Sequence, residues 1–361
     1  MRKYKIFFRQ PNFYIAELLI SKYNDFFERT ENRIDADVVL EKYIPQKDVI
    51  QQPKKKTIYI FTRGTELKRD RSVWKILDTS DEHFIKKYPK FEGITFCTYD
   101  VHPQKNMIRF PLNHMPHYRI SQDKDYFKNL CKESEMNLFF NRCFWRGAPS
   151  HRIRNTVIPF LNKKNDSRLD LKFWKPKTGI TYNNNHPAPK AWEYSSYFNE
   201  LRKSDVALCI RGDCEWVFSF FDIVRAGAIP VCINTGYSHL GWEKIGINWR
   251  DLFLNYDISS TNDTVEDIYN GINNLLNDKD RCLMMKKNLR DFYKNIYLKD
   301  RGLDLYLLLR DHPTNPKFIA LCGWGDFFAG KIIEIIENNF VLKDNNFFSK
   351  NALEIKGMSK L

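Results

Sequence analysis

Residues 206–234 read VALCIRGDCEWVFSFFDIVRAGAIPVCIN, and this stretch decides the fold. VALCI (206–210) and AIPVCI (228–233) are short apolar runs bounded by turn-forming residues, the pattern of buried strands. Between them a charged loop, RGDCE (211–215), leads into an apolar segment with helical spacing that ends at Gly227. Strand, loop, helix and strand in sequence make one crossover unit of a parallel sheet. Gly227 is placed to end the helix, where the next residue often needs a left-handed backbone. Pro230 has no N–H to donate, so its run must be an edge strand or place Pro230 at the strand start. The charges need another reason. Arg211, Asp213 and Glu215 follow a buried strand, and Asp222 lies in the first turn or so of the helix. In open α/β sheets this carboxyl end of the strands is where ligands bind.

The same alternation extends outward. YKIFF (4–8), ADVVL (36–40), TIYIF (57–61) and GITFCTY (93–99) read as strands, and YIAELLISKYNDFFE (14–28) has helical spacing. Further on, NLFFNRCFW (137–145) and LDLKFW (169–174) read as strands, while 150–164, 195–204 and the long segment 262–310 read as helical. Residues 46–56 and 175–194 are polar and read as loops. A chain of 361 residues predicts two domains. The expected organisation is α/β, with two Rossmann-like domains whose parallel sheets face a central cleft. Residues 1–125 would form the first and 126–315 the second, with an amphipathic helix in 316–361 packing back across them.

Hydrophobic residues are 43% of the chain and aromatics 15%, enough for real cores. Lys and Arg number 58 against 44 acidic residues, a formal charge of +14 that favours anionic partners. A nucleic-acid-binding protein is the reading from a different class, but the basic residues are spread along the chain and PKKKT (53–57) is the densest run. The expectation is therefore no nucleic-acid partner. Eight cysteines are scattered without metal-ligand spacing, which predicts reduced buried thiols in a cytoplasmic protein. The N-terminal stretch is interrupted by Arg9, Gln10, Pro11 and Glu17, and no window has the length of a membrane span. A basic surface also suits loose contact with an anionic membrane.

A second charged stretch, CFWRGAPSHRIRN (143–155), runs from a strand through Arg146-Gly147 into a helix start bearing Arg152 and Arg154. Free N–H groups at a helix N-terminus and guanidinium forks both suit phosphate, although the spacing is not that of a P-loop. Asp222 either stabilises the N-terminal end of its helix or accepts hydrogen bonds from ribose hydroxyls. Trp145, Trp192, Tyr194, Trp216 and Tyr237 lie near these loops, and of them Trp216 is the candidate for stacking on a sugar or base. The Asp-x-Asp at 35–37 precedes a strand and reads as a turn, and His114 and His117 read as loop.

SDVALCIRGDCEWVFSFFDIVRAGAIPVCI (204–233) resembles the signature region of exostosin-like glycosyltransferases, in which a strand and loop lead to a helix with an acidic residue and then a G-x-I-P-V turn. FWRGAPSHRIRN (144–155) resembles that family's upstream F-x-G…R element, and also the W-R-G…R element of the CAP10-like O-glucosyltransferases. The likeness is concentrated in residues 143–160 and 195–235. It implies a GT-B architecture with the acceptor in the N-terminal domain and a nucleotide-diphosphate sugar, foremost a UDP-sugar, in the C-terminal one. It also implies inversion at the anomeric carbon without an obligate metal or other cofactor. The acceptor would be a glycan or lipid-linked glycan, and the alternative within the class is a fucosyltransferase-like enzyme using a GDP-sugar. On this reading Asp222 holds ribose, and Arg146, Arg152, Arg154 and Arg211 meet the diphosphate around Gly147. Gly212, Asp213 and Trp216 meet sugar or base, with Ser219 and Phe220 at the helix start. The family's arginine just ahead of the acidic residue is missing from Phe218-Ser219-Phe220, so Arg211 or Arg146 would substitute. An inverting transfer needs a base. ITFCTYDVHPQKN (94–106) offers Asp100, with His102 second, unless Asp100 only fixes the turn before Pro103.

Overall fold

The computed structural model describes residues 3–8, 14–41, 56–61, 94–97, 107–111, 131–149, 151–173, 191–212, 216–217, 219–259, 261–301 and 324–357. It is a mixed α/β protein with two parallel sheets. The chain divides into two compact units: Met1–Met115, His239–Ile247 and Lys299–Leu361 form one, and Pro116–Ser238 and Asn248–Leu298 the other. The units interleave along the chain, whereas the sequence suggests consecutive domains. Residues 316–361 belong with the N-terminal unit.

In the first unit β1 (Tyr4–Phe7), β2 (Phe27–Arg29), β3 (Val38–Glu41), β4 (Thr57–Phe61), β5 (Ile94–Cys97) and β6 (Met107–Arg109) lie in the order β2-β1-β3-β4-β5-β6, all parallel. The helical spacing of 14–28 runs too far: the helix is Tyr14–Lys22, and its last segment is β2. The N–H groups of Phe26 and Phe27 both donate to Tyr23 O at 2.9 Å, a turn that reverses the chain before Phe27 pairs with Tyr4 of β1. The helix Gly325–Glu337 is buried on nearly every side instead of amphipathic. Its Phe328 ring meets Phe96 of β5 edge-on at 4.8 Å. Asp300 satisfies its first N–H groups, accepting from Gly325 at 3.0 Å and Asp326 at 2.9 Å. Asp326 in turn accepts from the Tyr23 hydroxyl at 2.8 Å and from the Lys356 ammonium, so these buried carboxylates are compensated.

The second unit holds β7 (Cys143–Gly147), β8 (Leu169–Phe173), β9 (Val206–Ile210), β10 (Ile229–Ile233) and β11 (Leu254–Tyr256) in the order β11-β10-β9-β7-β8, again parallel. Counted from its own first strand the order is 2-1-3-4-5, a doubly wound sheet whose direction of winding changes between β7 and β9. Trp145, Leu208, Ile210, Val231 and Ile233 point to one face, where they join Ile153, Val157 and Leu161 of the helix Arg152–Asn162 and Ile268, Ile272 and Leu275 of the helix Val265–Asn277. On the other face Phe144 packs 5.9 Å from Tyr197 of the helix Ala191–Arg202. Among the described residues the long helical segment 262–310 is interrupted at Asp278, which ends one helix and caps the next, Lys279–Phe292, by accepting from Arg281 N at 2.9 Å.

The described residues of 206–234 run strand, helix, strand, as the sequence suggests. The helix Ser219–Ala226 joins β9 to β10. Gly227 takes φ +83°, letting its N–H reach Val224 O at 3.0 Å and Ala228 N–H reach Ile223 O at 3.1 Å. β10 is an inner strand, yet Pro230 costs no ladder bond. Ile229 N–H points to Asp205 O and Asn234 N–H to Tyr256 O, so Pro230 N faces β11, whose pairing starts one residue later at Val231. The strand in NLFFNRCFW starts only at Cys143. Asn141 is left-handed at φ 53°, and the Asp205 carboxylate takes the N–H groups of Phe140 and Arg142 at 2.8 and 3.4 Å.

Candidate functional site

The carboxyl ends of β7 and β9 flank the point where the winding of the second sheet changes. Arg154, in the first turn of its helix, places its guanidinium there. Nε donates to Arg211 O at 3.0 Å, Nη1 to Ala148 O at 3.1 Å and Nη2 to Ile210 O at 3.1 Å. Carbonyl oxygens at strand ends are a partly negative rim, and a guanidinium bonded to them leaves that rim positive overall. Gly212 makes the room, since a Cβ there would lie 2.9 Å from Arg154 Nη2. Arg152 is exposed at the helix start, and His151 caps that helix by accepting from Ile153 N through Nδ1 at 3.3 Å. Arg211 is partly buried, with its backbone N–H on Ile233 O at 3.0 Å.

Arg154 therefore serves the strand ends with all three guanidinium nitrogens. Arg146 bonds within the sheet. Its Nη2 lies 2.8 Å from both Asp170 oxygens, Nη1 donates to Trp145 O and Asp170 O at 2.8 Å, and the ring of Phe144 lies 4.6 Å below it. Arg146 is thus part of a cross-strand pair between β7 and β8, where Arg142 shares Asp170 and also reaches Glu200 at 2.7 Å. Burial pushes the Asp170 pKa up, but hydrogen bonds from Arg142 and Arg146 outweigh it and hold the carboxyl below its ordinary value. The stability linked to that shift is present above about pH 4 and is lost as pH falls further. Gly147 ends β7 under the Trp145 ring, which a Cβ would meet at 2.4 Å.

Asp222 is 8% exposed and pairs with Arg225 one turn later, Nη1 to Oδ1 at 3.3 Å. The Arg225 guanidinium also sits 4.9 Å from the Phe198 ring. Burial pushes the phenols of Tyr197 and Tyr293 up, and the charge of Asp222 adds to it. A basic partner for the acidic helix residue thus exists, three residues after it and on the same helix. The i, i+3 spacing of Asp222 and Arg225 was the available signal.

Two aromatic candidates turn out to be core. Trp216 is 2% exposed against Tyr237, ring centroids 5.4 Å apart, and Phe220 stacks on Tyr237 at 4.0 Å. Trp145 and Tyr237 are buried as well. Ser219 opens its helix half-buried. Asp100, His102, Asp213, His114 and His117 lie outside the described residues, as do the side chains of Trp192 and Tyr194. The Asp-x-Asp at 35–37 is a turn: Asp37 accepts from Lys5 N at 2.8 Å and Asp35 from Asn32 Nδ2 at 2.9 Å. Among the described residues no group of three or more His, Cys, Asp or Glu comes together as for a metal ion, and no helix is long and apolar enough to cross a membrane.

Compared with models of known protein families and with curated proteins, the chain matches none.

The buried thiols have a measurable consequence. Burial pushes Cys131 up to about 11 and Cys282 up to about 12, and raises Cys143 and Cys232 as well. Since the thiolate is the reactive form, iodoacetamide at pH 8 is expected to leave all four unmodified in the native protein and to label them in denaturant. Peptide mass mapping reads the result, and native labelling at the free-thiol rate would contradict their burial. These thiols favour the folded state below about pH 8.5, and that contribution fades as pH rises toward their folded values.

Proposed function

We propose that the protein is an inverting glycosyltransferase of GT-B architecture that binds a nucleotide-diphosphate sugar, foremost a UDP-sugar, at the carboxyl ends of β7 and β9. The observation that carries this reading is the Arg154 guanidinium fixed at the winding change of the second sheet, beside the start of its own helix. Arg211 and Arg152 flank it and are the candidates to meet the diphosphate, aided by the partial positive charge of the helix N-terminus. The Asp222–Arg225 pair holds the start of the Ser219–Ala226 helix in place, with Asp222 offered to the ribose.

In the transfer, the acceptor hydroxyl oxygen attacks the anomeric carbon while its bond to the β-phosphate breaks. The configuration inverts, the nucleoside diphosphate leaves, and a base takes the hydroxyl proton. Asp100, then His102, are the proposed bases in the first unit. The positive groups at the strand ends would stabilise the departing diphosphate without an obligate metal. A glycan or lipid-linked glycan would be the acceptor, and a +14 cytoplasmic protein suits loose contact with the anionic membrane that carries one.

A thermal-shift screen with UDP, GDP, CDP, their sugars and a short oligonucleotide tests this reading. A nucleotide at a hundred times its dissociation constant should add about 2.7 kcal/mol, and Asp222→Asn should weaken the response. A rise in Tm with the oligonucleotide alone would overturn the transferase reading in favour of nucleic-acid binding.

A further inference from the structure

Two hydroxyls in the turn after β10 are buried with no nitrogen or oxygen hydrogen-bond partner among the described residues. Thr235 is 6% exposed and its Oγ1 has no nitrogen or oxygen partner; Ser238, three residues on, is half-buried, and its Oγ is itself buried and makes no hydrogen bond. The Cys232 sulfur, a weak acceptor, is the polar neighbour close enough to feel the Thr235 hydroxyl. The turn itself is held firmly. Gly236 lies under Trp216, whose ring a Cβ would meet at 2.5 Å, and the Tyr237 hydroxyl donates to Val217 O at 3.0 Å. From the β11 side, left-handed Asn234 donates to Asp257 Oδ1 at 2.6 Å and accepts from Ile258 N at 3.3 Å. These contacts fix the turn against the loop that leaves β9, so the hydroxyls are positioned groups on a fixed backbone.

A buried hydroxyl with no partner destabilises a fold relative to an apolar side chain of the same shape. Threonine and serine at these two places are therefore unexplained by packing. Each is a neutral group able to donate and accept, which matches another hydroxyl better than an anion. We infer that Thr235 and Ser238 hydrogen-bond the hydroxyls of the transferred sugar and so select the donor. The inference rests on the transferase reading and assigns the sugar end of the donor to this turn, leaving the diphosphate to the ends of β7 and β9.

Thr235→Val and Ser238→Ala in the full chain separate this from a structural role. Without ligand, Thr235→Val should melt at or above the wild type, because it removes a hydroxyl whose one partner is a weakly accepting sulfur and keeps the shape. The probes are UDP and GDP, each with and without glucose, galactose, N-acetylglucosamine or, for GDP, mannose. The expected result is that the free nucleotide shifts wild type and variants alike, while the extra affinity for the preferred nucleotide-sugar falls about tenfold or more in each variant, roughly the value of an unpaired polar group at a binding site. A clear fall in the Tm of ligand-free Thr235→Val makes the hydroxyl structural and overturns the inference. So does a variant that keeps the full sugar increment, or a wild type in which no sugar adds to its nucleotide. If no nucleotide or nucleotide-sugar shifts the wild type at all, it is the transferase reading that fails.

Discussion

Replacing Asp205 with alanine is expected to remove about 3–5 kcal/mol of stability, the usual cost of leaving one half of a buried ion pair alone. The Asp205 and Lys286 side chains are 0% and 2% exposed, with Nζ 3.1 Å from Oδ1. The same ammonium donates to Leu138 O at 3.1 Å, and the second carboxylate oxygen accepts from Phe140 N at 2.8 Å. Three distant segments thus meet at the amino ends of β7 and β9. Alanine leaves the lysine buried with a carbonyl and the Phe140 ring beside it but no counter-charge, and frees the backbone that leads into β7. Lys286→Met combined with Asp205→Ala should recover part of the loss, since it removes the orphaned charge. Urea denaturation gives the comparison, and a change below about 1 kcal/mol for Asp205→Ala would mean that the pair does not hold the strand ends.

Arg154→Ala should be nearly as costly and should also reach function. Three charge-assisted bonds to the carbonyls of Ala148, Ile210 and Arg211 disappear together. At about 1.5 kcal/mol or more for a hydrogen bond to a charged group, discounted for partial exposure, a loss of about 3 kcal/mol is expected. Lysine should restore little of it, because one ammonium cannot reproduce a fork that meets three oxygens. In the alanine variant the carbonyl rim then turns negative at the place assigned to a diphosphate, so the stabilisation by nucleotide should vanish there, while the charge kept by lysine should retain part of it. Tm of each variant in the absence and presence of nucleotide reads both effects. An unchanged Tm for Arg154→Ala would contradict the bonding described here.

Much of the architecture was legible because the strands are short apolar runs and the crossover at 206–234 carries its own punctuation in Gly227 and Pro230. β2 was hidden because Phe26 and Phe27 continue the apolar spacing of the preceding helix, while the turn that separates them uses only backbone bonds. The site was legible by position more than by role. Arg146, Arg152, Arg154 and Arg211 do stand at the ends of β7 and β9 or the adjoining helix start, but which of them meets protein was decided by partners remote in sequence. Asp170 lies 24 residues from Arg146, and Ile210 lies 56 from Arg154. Trp216 looked like a stacking surface for want of any local sign that Gly236 and Tyr237 would cover it. Asp205 and Lys286, 81 residues apart, left no trace in the pattern at all.

On the proposed reading, a nucleotide binds at the carboxyl ends of β7 and β9. Hydrogen–deuterium exchange on the full chain, with and without saturating UDP and in parallel GDP, tests it most directly. One of the two nucleotides is expected to slow exchange in peptides covering 146–154 and 210–222, and to leave the amino ends of the same strands unchanged. Protection confined to other segments, or none with either nucleotide, would contradict it.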